Sequence, residues 1–181
     1  MYGLFHRAIR EMMANRLGSA GWAELERGLG LGAADYITAR VYADDQTIGI
    51  CSACADALGQ PLPDFFFDFG VYWVEFAASG PYRGVMQSTG TTLAEMLANL
   101  DRMHNTIRQA MPQAQTPLFA LVEDRGDSLI IDYRSPREGL EPLVSGLLTG
   151  LLDYFGEQGS VTRLQEHDGR RFHIQLGRGQ A

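Results

Sequence analysis

The segment Thr91–Met111, TTLAEMLANLDRMHNTIRQAM, constrains this chain more than any other. Leu93, Met96, Leu97, Leu100, His104, Ile107 and Met111 recur at three- and four-residue steps, which puts them on one face of an α-helix. Thr92 followed by Glu95 has the form of a capping box and sets the helix start. Asn99, Asp101, Arg102, Asn105, Arg108 and Gln109 take the opposite side. One polar side chain breaks the apolar stripe: His104 comes one turn after Leu100 and three residues before Ile107. Such a histidine is either a core residue satisfied by a hydrogen bond or an imidazole aimed into an apolar cavity, where it can ligate a metal or a haem iron. The rest of the chain has to decide between the two.

The chain has 181 residues, 45% of them hydrophobic, enough for one domain with a real core or two small lobes. Its formal charge is −7 and no basic stripe stands out, which argues against a nucleic-acid surface and against docking on an anionic membrane. No apolar run approaches the ~20 residues of a membrane span. The opening MYGLFHRAIREMM reads as an amphipathic helix rather than a signal peptide, so a cytoplasmic protein is expected. Cys51 and Cys54 are the only cysteines, too few for a disulfide framework.

Along the chain, residues 1–29 are helical in pattern, with a break at Gly18 and a second short helix from Gly21-Trp22. Asp44-Asp45 caps a helix from Gln46 to Leu58, closed by Gly59. Asp64 caps the next, from Phe65 to about Ala78, which is unusually aromatic and apolar nearly all round, and therefore buried or lining a cavity. After the histidine helix the pattern alternates. Leu118–Glu123 and Ser128–Tyr133 read as one hairpin and Val161–Gln165 and Arg171–Leu176 as another, with a helix over Pro136–Phe155 between them. The expected fold is α+β: a helical N-terminal lobe, and a C-terminal lobe with a four-stranded antiparallel sheet and helices. The lobes are expected to divide near residue 60, as 1–60 and 61–181 of a single domain.

Tyr133-Arg134-Ser135-Pro136-Arg137 stands at a strand end. In an extended backbone Tyr133, Ser135 and Arg137 point one way and offer two hydroxyls and a guanidinium, a set that can hold a carboxylate. An axial imidazole together with a carboxylate clamp is what a haem needs. With both stretches in view, the chain resembles the haem nitric oxide/oxygen binding (H-NOX) family, whose haem domain also occurs in soluble guanylate cyclase. The resemblance runs through Met1-Tyr2-Gly3-Leu4, Asp44-Asp45, Phe69-Gly70 with Tyr72-Trp73, Leu100-Asp101 through His104, Tyr133-x-Ser135-x-Arg137, Gly139-Leu140 and Gly146-Leu147-Leu148. It covers almost the whole chain.

The resemblance implies haem b (iron protoporphyrin IX) between the lobes, with His104 as proximal iron ligand. It implies that Tyr133, Ser135 and Arg137 bind the propionates and that Pro117 presses on the porphyrin. Phe5, Ile9, Phe69 and Trp73 would line the distal pocket. Oxygen-binding members carry a distal tyrosine where this chain has Pro142, so nitric oxide and carbon monoxide are the expected ligands. A sensor is implied, not an enzyme, and because no cyclase, kinase or methyl-accepting region is seen, signalling is expected in trans, to a histidine kinase or a cyclic-di-GMP enzyme. The rival is a haem-free redox or interaction module using Cys51 and Cys54, which would lie on nearly one helix face; a zinc site lacks two further ligands. Packing as small apolar residues is the simpler expectation for both. His6 is expected to be solvated, and His167 and His173 to belong to the last hairpin.

Overall fold

The computed structural model describes residues 1–113, 115–166 and 170–177. In chain order the elements are α1 (Gly3–Gly28), a 3-10 turn at Ala33–Tyr36, α2 (Asp44–Leu58), α3 (Leu62–Ser79), α4 (Arg83–Thr89), α5 (Leu93–Ala110), β1 (Leu118–Asp124), β2 (Ser128–Arg134), α6 (Glu141–Phe155), β3 (Gly159–Leu164) and β4 (Arg171–Leu176). The strands form one antiparallel sheet in the order β1-β2-β4-β3. The fold is the expected α+β one.

Several helix starts differ from the sequence pattern, each for a local reason. α2 begins at Asp44 with Ala43 as its N-cap and no side-chain cap. The expected Asp44 cap is absent because its carboxylate is engaged elsewhere: it accepts from the Met1 ammonium at 2.7 Å and from Arg137 Nε at 2.8 Å. α3 starts three residues early, at Leu62, with Pro61 as N-cap and Pro63 in the first turn, where no N–H is needed. Asp64 is therefore not a cap but a first-turn carboxylate, favoured by the helix dipole. α4, a short helix after α3, has no counterpart in the sequence pattern. α6 begins at Glu141 rather than Pro136, because Gly139 takes φ +75° and the chain turns before the helix starts. α1 bends at Gly18, φ +73°, as expected. In α5 the Thr92 hydroxyl caps Glu95 N–H at 3.2 Å, while the Glu95 carboxylate accepts from Thr91 N–H (2.9 Å) and Thr91 O–H (2.6 Å), one residue before the usual capping-box partner.

The buried side chains form two clusters. The first takes Ile9, Met12 and Met13 of α1, Ile50, Cys51 and Cys54 of α2, Phe65, Phe66 and Phe69 of α3, and Leu140 and Leu143 around the start of α6. The second takes Leu93, Met96 and Leu97 of α5, the inward side chains of the sheet, Val74 of α3 and most of the apolar face of α6. α3 and α6 thus serve both cores. Each fully buried side chain such as Phe65, Phe69 or Phe172 contributes about 1.5–3 kcal/mol. Among the described residues no helix is long and apolar enough to cross a membrane.

His6 departs from expectation. It is 1% exposed, with Nδ1 2.8 Å from the Asp35 carbonyl and Nε2 2.8 Å from Thr47 Oγ1. A carbonyl only accepts, so in the neutral ring Nδ1 donates to Asp35 and Nε2 accepts from the hydroxyl. His6 therefore ties α1 to the 3-10 turn and to α2. Its neighbours Phe5 and Ile9 gave no sign of this, because the partners come from 29 and 41 residues away.

Candidate functional site

The stripe on α5 is covered only in part. Leu93, Met96 and Leu97 are buried, whereas Leu100, His104, Ile107 and Met111 are half-buried. Along α5, from Asn99 to Met111, the helix borders a groove of about 410 Å³ whose walls include Val85, Met103, Ile107 and Met111. The His104 ring lies 5.7 Å from Phe119 of β1, Phe119 lies 5.3 Å from Tyr133 of β2, and Tyr133 meets Phe172 of β4 edge-on at 6.4 Å. The α5–sheet packing thus brings both the imidazole and the first residue of the expected clamp against Phe119.

His104 is not the satisfied core histidine of the simpler reading. Its Nδ1 is buried and has no hydrogen-bond partner. Burial, reinforced by the Arg108 guanidinium, pushes its pKa down to about 4, against opposing pulls from Asp101 and the Pro117 backbone. That backbone lies beside the ring without reaching hydrogen-bond geometry at Nδ1. The ring is therefore neutral at physiological pH, the form a metal takes.

Tyr133 is buried, and burial raises its pKa, with a hydrogen bond to Ser135 working the other way. Ser135 and Arg137 lie beyond the strand, since β2 ends at Arg134. The extended alternation expected through Arg137 stops there, and a turn takes over in which Ser135 Oγ accepts from Arg137 N–H at 3.1 Å. Arg137 donates from Nε to Asp44 at 2.8 Å and from Nη1 to the Gln115 carbonyl at 2.6 Å. Burial pushes the Asp44 carboxyl up, but the Met1 ammonium and Arg137 together hold it below its usual range. Arg134 is exposed. Tyr133, Ser135 and Arg137 thus stay together, with the guanidinium fixed by a carboxylate from α2. Phe119, Asp44 and Gln115 were missed by sequence reasoning as parts of this site; Asp44-Asp45 was visible, but read as a cap.

The four aromatic and aliphatic residues of the expected distal side also converge. Phe5 stacks on Trp73 at 4.3 Å and lies 5.9 Å from Phe69, while Ile9 and Phe69 are buried in the same cluster. Phe5 and Trp73 remain half-buried.

Cys51 and Cys54 are buried free thiols. Burial raises the Cys51 pKa far above the usual thiol range and pushes Cys54 up to about 12, so neither is a thiolate near neutrality. Among the described residues no three His, Cys, Asp or Glu side chains gather where a metal ion could be held. His173 is a half-buried β4 residue opposite Ile130 and Thr162; His167 lies outside the described residues.

The donor set suits a haem. A neutral imidazole whose buried Nδ1 has no partner could serve as an iron ligand without competing for a proton. An arginine with two hydroxyls beside it supplies charge-assisted partners for carboxylates.

Comparison with known proteins agrees with this chemistry. The chain is 20% identical to an H-NOX protein from S. oneidensis solved in the Fe(II)NO ligation state, with a TM-score of 0.84 over 98% of this chain and 99% of that one. It is 17% identical to an Fe(II) unliganded H-NOX protein from K. algicida, with a TM-score of 0.79 over 100% of this chain and 99% of that one. At these identities the likeness establishes the fold. Soluble guanylate cyclase gcy-31 of Caenorhabditis elegans is 23% identical over 176 residues, which is 96% of this chain and 25% of the cyclase. The soluble guanylate cyclase beta-2 subunit of Rattus norvegicus is 25% identical over 112 residues, 59% of this chain and 16% of that subunit. The chain thus spans a quarter or less of these relatives' length. The family model described as Haem-NO-binding matches residues 2–163, nearly the whole chain, and the chain accordingly belongs to the haem-NO-binding (H-NOX) family of haem gas-sensor domains, which sense rather than catalyse.

Proposed function

We propose that this chain is a nitric oxide sensor built on haem b, with residues 1–60 as a mainly helical distal lobe and 61–181 as a proximal lobe carrying the sheet. The observation that carries the reading is the neutral imidazole of His104 with its orphaned Nδ1, set beside Phe119 and the Tyr133 clamp. A bound haem would supply a ferrous iron able to take up a diatomic gas, and His104 would hold that iron.

The chain's own residues do the rest. His104 would hold the iron from α5. Arg137, Tyr133 and Ser135 would orient the group by its propionates, and Pro117 would bear on the porphyrin. Phe5, Ile9, Phe69 and Trp73 keep the gas side apolar and dry. Nitric oxide and carbon monoxide are the ligands this lining favours. The apolar stripe around His104 is only half-buried, so loss of the His104–iron bond would loosen that end of α5 and make the helix a two-state element biased by ligand. The signal passes in trans, in the cytoplasm, to a histidine kinase or a cyclic-di-GMP enzyme. The buried, protonated state of Cys51 and Cys54 weighs against a redox module.

The test is a visible spectrum of purified protein with and without added haem, repeated for His104→Gly. A Soret band in the wild type, lost in the glycine variant and restored by imidazole, is expected. A protein that takes up no haem, or a glycine variant that holds it fully without imidazole, would overturn the reading.

A further inference from the structure

Gln115 and Thr116, just before β1, are held from two sides. On one side Arg108 of α5 donates from Nη1 to Thr116 Oγ1 at 2.7 Å and from Nη2 to Asp101 Oδ1 at 3.3 Å. On the other, Arg137 donates to the Gln115 carbonyl at 2.6 Å and to Asp44 at 2.8 Å. The two arginines therefore grip adjacent residues just before Pro117, whose backbone lies beside His104. A continuous polar path results, from Asp101 and Arg108 through Thr116 and Gln115 to Arg137 and to Asp44 at the start of α2.

Asp101 and Arg108 flank His104, three residues before it and four after, so their contact spans the helical turn that carries the imidazole. This is the half of α5 where the apolar stripe is only half-buried, so packing restrains it weakly. The Arg108–Asp101 pair is itself 27% and 45% exposed, and an ion pair so open to water contributes little by charge alone. Its use is geometric: it holds the guanidinium fork at the angle from which Nη1 reaches Thr116.

We infer that Arg108 is a positioning residue that latches the His104 turn of α5 to the Gln115–Pro117 segment, and through Arg137 to α2. The latch sets how readily His104 leaves the iron and carries that departure to the helical side of the molecule. The inference rests on the haem reading above. A path of contacts is not by itself coupling, so the test measures coupling directly.

Haem-loaded wild type, Arg108→Gln, Thr116→Val and the double variant are compared, with Arg102→Gln as a control on the exposed side of the same helix. Three readings are taken: the rate of loss of the iron–histidine bond on adding nitric oxide, from the visible spectrum; the iron–histidine stretching frequency of the ferrous protein; and amide exchange across residues 104–110. Arg108→Gln and Thr116→Val are each expected to speed histidine release and amide exchange at least threefold and to lower the stretching frequency. Arg108→Lys should recover part of the effect, and the double variant should match the larger single one because the contact is shared. Arg102→Gln should change none of the three.

Values within twofold of wild type in both single variants, or additive effects in the double, would overturn the latch while leaving the haem assignment intact. A wild type that takes up no haem would remove both.

Discussion

Gly70 of α3 and Gly146 of α6 meet backbone to backbone, and neither position has room for a side chain. A Cβ on Gly146 would press on the Phe67 carbonyl and come within 3.1 Å of Gly70 Cα; one on Gly70 would lie 2.7 Å from Leu147 N. The neighbours are main-chain atoms of a paired helix, so they cannot swing aside. This contact holds together the two helices that both cores share.

Gly146→Ala is therefore expected to destabilise the protein by about 1–3 kcal/mol or more through overpacking. Gly49 makes the contrast. It lies in α2, is exposed, and a Cβ there would touch nothing within 4 Å. Gly49→Ala should stabilise by up to about 1 kcal/mol, the ordinary helix preference. Urea unfolding of both variants checks this; a Gly146→Ala midpoint equal to wild type would show that α3 and α6 are not in close contact.

These glycines also mark where the sequence stops being legible. Element types followed from periodicity: α5 from its 3.6-residue stripe, the strands from alternation, the α1 bend from Gly18. Gly70 and Gly146 appeared only as parts of a family pattern, because a close helix crossing needs knowledge of which helices meet. The candidate site divides the same way. His104, Tyr133, Ser135 and Arg137 are visible in the chain because each breaks or punctuates a local pattern. The site roles of Asp44 and Phe119 are not, since they come from partners on other elements: Asp44 was read as a cap, and its partner Arg137 lies 93 residues away. His6 was misread for the same reason.

Arg137 and Arg134 provide a second test. Arg137 is held in the clamp by Asp44, Gln115 and its turn with Ser135, whereas Arg134 is exposed at the strand end. Losing a charge-assisted contact to a propionate costs about 1.5–3 kcal/mol, roughly tenfold to a hundredfold in retention. Arg137→Ala should speed haem transfer to an acceptor apoprotein by that factor, and Arg134→Ala should not. Asp44→Asn should fall between them, because Arg137 keeps the Gln115 carbonyl but loses its charged partner. Equal transfer rates for the two arginine variants would remove the clamp.

Acid should weaken the haem-free protein between about pH 6.5 and 4. Burial lowers the pKa of both His104, to about 4, and His6, so the unfolded chain binds protons that the folded one refuses. Stability then rises with pH where the unfolded state holds more protons, is complete above the unfolded value near 6.5, and is lost as pH falls toward the folded values. Asp44 also contributes acid sensitivity, but its carboxyl is held below the usual carboxylate range, so its part is lost at lower pH. Urea midpoints at pH 7 and pH 5 should differ in the wild type and differ less in His104→Leu. The same pH dependence in that variant would assign the effect to His6 or elsewhere.

The ferrous haem protein should bind nitric oxide and carbon monoxide yet form no lasting oxygen complex in air. Bound oxygen carries partial negative charge and is stabilised by a donor; nitric oxide needs one far less. A single such hydrogen bond is worth about 1.5–3 kcal/mol, or tenfold to a hundredfold in affinity. Position 142 cannot supply it: Pro142 sits in the first turn of α6 and has no N–H. Four tyrosine hydroxyls are already spent, Tyr72 on Glu11, Tyr36 on Glu26, Tyr42 on the Ala34 carbonyl and Tyr2, at 3.5 Å, on the Met111 carbonyl. Phe5, Ile9 and Phe69 offer only carbon. Trp73 keeps an indole N–H, but its ring is stacked on Phe5 at 4.3 Å. The check is the visible spectrum of reduced protein opened to air, for wild type and Trp73→Phe. Rapid oxidation or an unchanged ferrous spectrum in both is expected. An oxygen spectrum that persists in the wild type and vanishes in Trp73→Phe would make the indole the donor and end the case for an apolar gas side.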